Sequence, residues 1–381
     1  MKKVMLICAP VSSRSGYGDH ARDLVRSFIN LDKFEVSIMD VPWGETPRNG
    51  LDSELDKNII DCLLSQPKMD RKPEVYVDIR IPNEFQTWGK FNIGVTAGIE
   101  TTAVSSNWIE NCNKMDLIIV PSKHSKDGFV SALYEKMQKN ADGSQHKIGE
   151  MKLEKPIEDL FEGVDENTFK SIDDSSLKYI DDIKEEFAFL HVGLWGKGGY
   201  GEDRKDISKT IKIFYESFAN KKKQPALILK TNGATFSIID REECLRKINQ
   251  IKSMFPKDWN LPNIYLLHGS LSSEEMNKLY NHPKVKCFVT LTHGEGFGRP
   301  LLEATMVGLP VIAPAWSGQM DFLSSTDSML LGGDLKQVPQ SQVWQDIIIP
   351  ESQWFNVNEQ QAYKAMNYCF DNYDEVKEKA L

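Results

Sequence analysis

The chain has 381 residues, 40% of them hydrophobic, and a formal charge of −9 at pH 7. That length suits two domains, or three, with sizeable cores. The acidic balance argues against a protein that coats nucleic acid, although a local basic groove is compatible with it.

The first forty residues read strand, loop, helix, strand. "KVMLICA" is a continuous apolar run, as in a parallel strand covered on both faces. The two lysines before it resemble the start of a signal peptide. The apolar run is only about seven residues long and stops at Pro10, so a buried first strand is the better reading. "PVSSRSGYG" is a loop, and Asp19 is the expected N-cap of a helix whose apolar positions 21, 24, 25, 28 and 29 form one face. "FEVSIMDV" is the second strand. The loop of this βαβ unit lacks the G-x-G-x-x-G spacing of dinucleotide folds.

Further strands are expected at 74–81, 91–97 and 116–122. Residues 133–156 are polar and lysine-rich with weak periodicity, which reads as a surface insertion or mobile loop. An acidic, apolar-poor stretch marks a domain boundary near 170–186. The grammar then restarts. Strand 187–195 leads to the glycine-rich loop "GKGGYGEDRKD" and the helix "ISKTIKIFYESFA". Strand 226–231, a helix over about 238–254, strand 264–269, helix 272–282 and strand 285–291 follow. Two successive sets of β-loop-α units predict α/β architecture with a parallel sheet in each half. The expected domains are 1–175, 186–350 and a helical segment, 351–381, that crosses back over the first domain.

The densest signal is "THGEGFGRPLLEATMVGLPVIAP", 292–314. Pro300 suits the first helical position, and Gly308 with Pro310 suits the stop. Gly294, Gly296 and Gly298 let backbone approach a ligand at the carboxyl end of a strand and the N-terminus of a helix. Open α/β sheets bind ligands there, and anions are favoured there. Glu295 and Glu303 add carboxylates, which accept sugar hydroxyls well and bind phosphates poorly. Phosphate donors beside hydroxyl acceptors suggest a sugar nucleotide. On that reading Glu295 holds hydroxyls of the transferred sugar, Glu303 the ribose, and main-chain amides of Gly296, Phe297, Gly298 and the following turn hold the rest. A glycine turn with two solvated glutamates is the plain structural alternative.

"GEGFGRPLLEATMVGLPVIAP" resembles the Glu-x7-Glu signature of the retaining glycosyltransferases of family 4. Weaker likenesses follow in the right order along nearly the whole chain: "SRSGYGDHARDL", "DLIIVPSKHSKDGF", "EGVDENTF" and "WGKGGYGEDRKDI…LILK". The resemblance implies the GT-B fold, two Rossmann-like domains facing a central cleft, with a C-terminal helix packing back on the N-terminal domain. It implies transfer of a sugar from a nucleotide diphosphate sugar to a hydroxyl acceptor with retained configuration. Neither metal nor other cofactor is expected, and no carboxylate pair with DxD spacing sits at a strand end.

Such a reaction needs fixed positive charge at the departing diphosphate. Lys230, Arg204 and Lys205 are the candidate clamp. The family often has arginine right after the first strand of the second domain. Leu194 and Trp195 stand there instead, which leaves the individual phosphate ligands open. Gly16 and Gly18 are expected to close on the diphosphate or sugar from the other domain. His293 precedes the loop and is a candidate sugar contact. Acceptor-side candidates are His20, Glu100 and His124. The base is expected against main chain around 266–272, at Gly269. Nothing there tells uracil from guanine or adenine, and a UDP-sugar is the first donor to try.

The acceptor is left open among a glycan, a lipid-linked glycan, a protein and a small molecule. A phage-type transferase acting on hydroxymethylated DNA is the alternative, and a non-catalytic sugar-nucleotide binder a third. Six scattered cysteines without a CxxC pair and no run of about 18 apolar residues fit a cytoplasmic protein that spans no membrane.

Overall fold

The computed structural model describes residues 2–140, 143–233 and 235–380. The chain divides into two compact units. One comprises Met1–Gly163 with Val343–Ser352, the other Val164–Gln342 with Gln353–Leu381.

The first unit is built on a parallel sheet of β1 (Lys3–Ala9), β2 (Phe34–Asp40), β3 (Val75–Ile79), β4 (Phe91–Val95) and β5 (Leu117–Val120). A hairpin, β6 (Tyr134–Lys139) and β7 (Gln145–Met151), precedes a sixth parallel strand, β8 (Ile157–Asp159). The order is β2-β1-β3-β4-β5-β8. Met5, Ile7 and Ala9 of β1 pack with Val77 and Ile79 of β3 and with Ala21 and Val25 of the Gly16–Asn30 helix.

Two expectations change here. The Gly16–Asn30 helix is capped by the Ser15 side chain, which accepts from the Gly18 amide, while Asp19 lies inside the first turn and pairs with Arg22. Gly16 and Gly18 are therefore helical. Gly18 is also packed: an added Cβ would lie 2.2 Å from the Ser13 carbonyl oxygen, whereas at Gly16 it would meet open space. The lysine-rich segment 133–156 forms an antiparallel hairpin, with a register shift between Lys136 and Met137, rather than a mobile loop; its residues 141–142 lie outside the described residues. Tyr134 and Met151 pack on the core of the first unit and hold the hairpin's base.

The second unit carries β9 (Ala188–Leu194), β10 (Ala226–Asn232), β11 (Ile264–Leu267), β12 (Val285–Val289), β13 (Val311–Pro314) and β14 (Met329–Leu331). All pair in parallel, in the order β11-β10-β9-β12-β13-β14. This is the doubly wound dinucleotide-fold order, with its topological switch point between β9 and β12. A two-stranded antiparallel ribbon, β15 (Gly333–Gln337) and β16 (Gln353–Val357), completes the unit. Phe189, Cys287, Val289 and Ile312 face one layer of core, and Leu190, Phe288 and Val311 the other, so each strand is apolar on both faces.

The C-terminal helices correct the expectation for 351–381. Ala362, Met366, Cys369 and Val376 complete the core of the second unit together with Phe214 and Phe218. Phe370 and Tyr373 sit edge-on to Phe187 at 5.0 and 5.5 Å. An amphipathic helix buries its apolar stripe where matching apolar surface is nearest. The part of the C-terminal third that groups with the first unit is Val343–Ser352, where Ser105 donates to the Asp346 carbonyl at 2.8 Å. Residues 164–175 likewise go with the second unit rather than the first, because Phe169 joins its core and the Lys170 amide donates to Asn277.

Two parallel sheets with helices, and solved structures of the same architecture reported below, make the fold GT-B.

Candidate active site

In the second unit two loops meet at the switch point. The first, 195–206, leaves β9; the second, 290–298, leaves β12. Their backbones are joined where the His293 amide donates to the Arg204 carbonyl at 2.7 Å and the Thr292 hydroxyl donates to the same oxygen at 3.2 Å. This junction places Arg204 and Lys205 beside Glu295. The Lys205 ammonium donates to Glu295 Oε1 at 2.6 Å, and Arg204 Nη1 to Oε2 at 3.2 Å and to the Gly294 carbonyl at 2.8 Å. The Glu295 side chain is 9% exposed, Lys205 12% and Arg204 34%. Burial by itself would raise the Glu295 carboxyl, but the Lys205 and Arg204 charges outweigh it and hold the pKa at about 2. At neutral pH the site is an ionised triad of two cations on one carboxylate.

The backbone under Glu295 is braced from a third loop. Its amide donates to the Ser317 hydroxyl at 2.9 Å, and its carbonyl accepts from the Gly318 amide at 3.0 Å. Ser317 adopts φ +74°, left-handed backbone that a serine tolerates only when its surroundings hold it there. A Cβ on Gly318 would lie 2.2 Å from the Gly296 carbonyl oxygen, so glycine is required for the two loops to approach. Gly298, at φ +102°, turns the chain into the Arg299–Met306 helix, with proline in its first turn and no side-chain cap. In that first turn Pro300 carries no N–H, and the Leu301 and Leu302 amides donate to the Gly298 carbonyl at 2.9 and 3.2 Å. Phe297 is buried against Phe322. A small void lies beneath the loop, lined by Val192, Lys205, Thr290, Glu295, Gly298 and Leu301 among others.

Glu303 has a different setting. It accepts from the Tyr280 hydroxyl at 3.0 Å and pairs with Arg299 one turn earlier at 3.5 Å. Burial beside this carboxylate pushes the Tyr280 phenol well above its usual value. The two glutamates of the motif thus have separate partners.

Lys230 lies near the carboxyl end of β10, two residues before Asn232 and in register with Val192 of β9. It donates to the Gly269 carbonyl at 2.5 Å, which ties together two sequence candidates. Gly269 itself has φ +108°. Burial lowers the Lys230 ammonium to about 8. Next to Gly269, His268 contacts Asp240 Oδ2 at 2.7 Å.

His293 is built in rather than presented. It is fully buried, stacked on Trp354 at 4.2 Å, with Nδ1 2.6 Å from the Phe355 carbonyl and Nε2 3.3 Å from the Gly201 carbonyl. These contacts hold β16 to the two loops and occupy both ring nitrogens. His20, Glu100 and His124 belong to the first unit. His20 is buried on its helix, Glu100 is half-buried, and His124 lies in the first turn of the Lys123–Ser131 helix. No group of three or more His, Cys, Asp or Glu able to hold a metal occurs among the described residues.

Sequence reasoning missed Ser317, Gly318, Tyr280, Arg299 and the buried acids Asp203 and Asp206 that anchor the 195–206 loop. Asp206 is the loop's last residue, at φ +48°, paired with Lys209 at 2.6 Å. Burial and the Asp206 charge push Asp203 up to about 7. The "WSG" stretch after a strand was the available signal for Ser317 and Gly318.

Residues 204–332 match the family model described as Glycosyl transferases group 1. No curated protein matches this chain. Among solved structures, Anabaena HepE in complex with UDP-glucose superposes with a TM-score of 0.63 at 13% identity, over 99% of this chain and 92% of that one. A glycosyltransferase from Rickettsia africae gives 0.60 at 13% identity, over 100% and 92%. Sucrose-phosphate synthase from Thermosynechococcus elongatus gives 0.60 at 11% identity, again over 100% and 92%. At these identities the likeness speaks for the fold.

Proposed function

We propose that the chain is a retaining glycosyltransferase that takes a sugar from a nucleotide diphosphate sugar, a UDP-sugar first among them, and moves it to a hydroxyl acceptor without a metal. The observation that carries this reading is the Arg204–Lys205–Glu295 triad at the switch point of the second sheet. Cations fixed there meet the charge that grows on a departing diphosphate. A carboxylate held at pKa about 2 stays ionised and can accept hydroxyl hydrogens from the sugar. The group 1 match over 204–332 includes all three of these residues, and a structural neighbour carries UDP-glucose.

On this reading the acceptor oxygen attacks the anomeric carbon as the bond from that carbon to the diphosphate oxygen breaks. The electron pair stays with the diphosphate, which takes up the acceptor proton. Arg204 and Lys205 hold the diphosphate, helped by main-chain amides of the 296–298 loop and by Lys230. Glu295 orients the sugar and Glu303 the ribose.

The test is a thermal-shift and donor-hydrolysis screen over UDP-, GDP-, ADP- and dTDP-sugars, with EDTA in a parallel set. One stabilising donor, hydrolysed slowly with EDTA present, supports the reading. No stabilisation by any of them counts against it.

A further inference from the structure

β9 carries a residue whose chemistry is out of place on a strand otherwise lined with apolar side chains. His191 is wholly buried, two residues before Gly193 and three before the strand's carboxyl end at Leu194. Its Nδ1 lies 3.0 Å from the Val289 carbonyl on β12. A carbonyl only accepts, so Nδ1 carries the hydrogen and Nε2 a bare lone pair. No described residue gives that Nε2 a hydrogen bond. A buried acceptor left unmade costs free energy that an aliphatic side chain at the same position would avoid.

The direction of the lone pair is informative. A Cβ built on Gly193 would lie 3.3 Å from His191 Nε2 and 3.3 Å from both Cδ and Cε of Lys205. The bare nitrogen and the lysine stem therefore converge over the Gly193 α-carbon, and any side chain there would separate them. The charged groups acting on the ring are Lys205 and Glu295. Burial first, and then the Lys205 charge, lower the imidazole to about 4, so it is neutral at physiological pH and can only accept at Nε2. Meanwhile the Lys205 ammonium is occupied by Glu295 at 2.6 Å. If a bound diphosphate displaces Glu295, one ammonium hydrogen turns to the diphosphate and another is left to find an acceptor.

We propose that His191 is a positioning residue of the donor site: its Nε2 accepts a hydrogen from the Lys205 ammonium once the donor draws Glu295 away, and so keeps Lys205 aimed at the diphosphate. This rests on the donor-site reading above. An ammonium has three hydrogens, enough for the imidazole, the diphosphate and a loosened carboxylate together.

The test uses the full chain with UDP as probe. The 15N resonance of His191 Nε2 is assigned by its loss in His191→Phe and followed as UDP is added. The proposal expects it to move upfield, as a lone pair accepting a hydrogen bond does, and not to move in Lys205→Met. A resonance unchanged by saturating UDP in the wild type overturns it while leaving the donor site standing. If calorimetry detects no UDP binding to the wild type, both readings fall. In kinetics of donor hydrolysis, His191→Phe lowers kcat by about tenfold to a hundredfold with KM for the donor little changed. His191→Asn, which restores an acceptor, recovers part of it. An asparagine variant as slow as the phenylalanine variant, or a phenylalanine variant as fast as wild type, contradicts the assignment.

Discussion

Both units build an open parallel sheet and close its carboxyl edge with tight loops, yet they fasten those loops by different means. In the first unit hydroxyls and main chain work beside several ion pairs, each on its own carboxylate: Arg22 with Asp19, Arg48 with Asp40 and Arg80 with Asp78. Ser13 bonds Ser15 and Thr46, and the Tyr17 hydroxyl bonds Thr96 and receives the Ala97 amide. The buried Arg22 donates to the Val11 and Ser13 carbonyls. Tyr17 stacks on Trp43 at 3.9 Å. In the second unit the loops are held by charge on charge, with two cations sharing Glu295. The hydroxyl bonds among Ser13, Ser15, Thr46, Tyr17 and Thr96 are consumed in holding the loops. An internal ion pair can exchange its carboxylate for an anionic ligand, because the cations keep a partner throughout. On the proposed reading the shared carboxylate of the second edge is the one open to exchange, because two cations converge on Glu295 there.

The sharpest way to break this contrast is to remove a cation. Lys205→Met is expected to lower donor turnover by at least about a hundredfold, the scale seen when one fixed charge or hydrogen-bond donor to a developing anion is lost. It also strands the buried Glu295 carboxylate, so its thermal stability falls, and adding Glu295→Gln restores part of it. Additive losses in that double-mutant cycle would mean that the triad is not coupled. Next is pH. Lys230 has its folded pKa lowered to about 8 from 10.5, so the folded state gives up the proton first. Stability attributable to this group rises with pH between about 8 and 10.5, because the unfolded chain then binds more protons. Lys230→Met flattens that rise in a pH series of chemical denaturations. If Lys230 also holds diphosphate, UDP affinity of the wild type declines above about pH 8 and that of Lys230→Met does not.

A smaller effect is expected at Glu303→Ala, with donor KM up by about tenfold and kcat nearly unchanged, the pattern of lost ground-state binding. The smallest lies in the first unit. Gly18→Ala should cost about 1–3 kcal/mol by overpacking against Ser13, while Gly16→Ala leaves the melting temperature unchanged. Equal melting temperatures for the two variants would contradict the tight packing at Gly18.

Much of the fold was legible in the sequence because each half repeats apolar strand, loop and amphipathic helix, and local periodicity reports that directly. Pro300 and Gly308 bracketed the Arg299–Met306 helix for stereochemical reasons that need no tertiary knowledge. Glu295, Arg204 and Lys205 were named separately. Their meeting depends on the joint between the 195–206 and 290–298 loops, about 90 positions apart in sequence, and no local pattern encodes it. The same limit explains His293, whose place beside a glycine loop suggested a ligand contact while its partners, Phe355 and Trp354, lie some 60 residues further on. The lysine-rich hairpin was misread because both faces of its outer part are exposed, which removes the alternation that marks a half-buried strand. The terminal helices showed an apolar stripe, and which core it would cover was decided by Phe187 and Phe218, not by the helix.

The most direct test of the exchangeable triad is calorimetric titration of UDP into the wild type, Lys205→Met and Glu295→Gln under the same salt. The account predicts that Lys205→Met loses most of its affinity. It predicts that Glu295→Gln binds UDP more tightly than wild type, since the cations no longer have an internal carboxylate to leave. Equal affinity in all three would mean that Arg204 and Lys205 serve only to hold Glu295 in place, and that the diphosphate binds elsewhere.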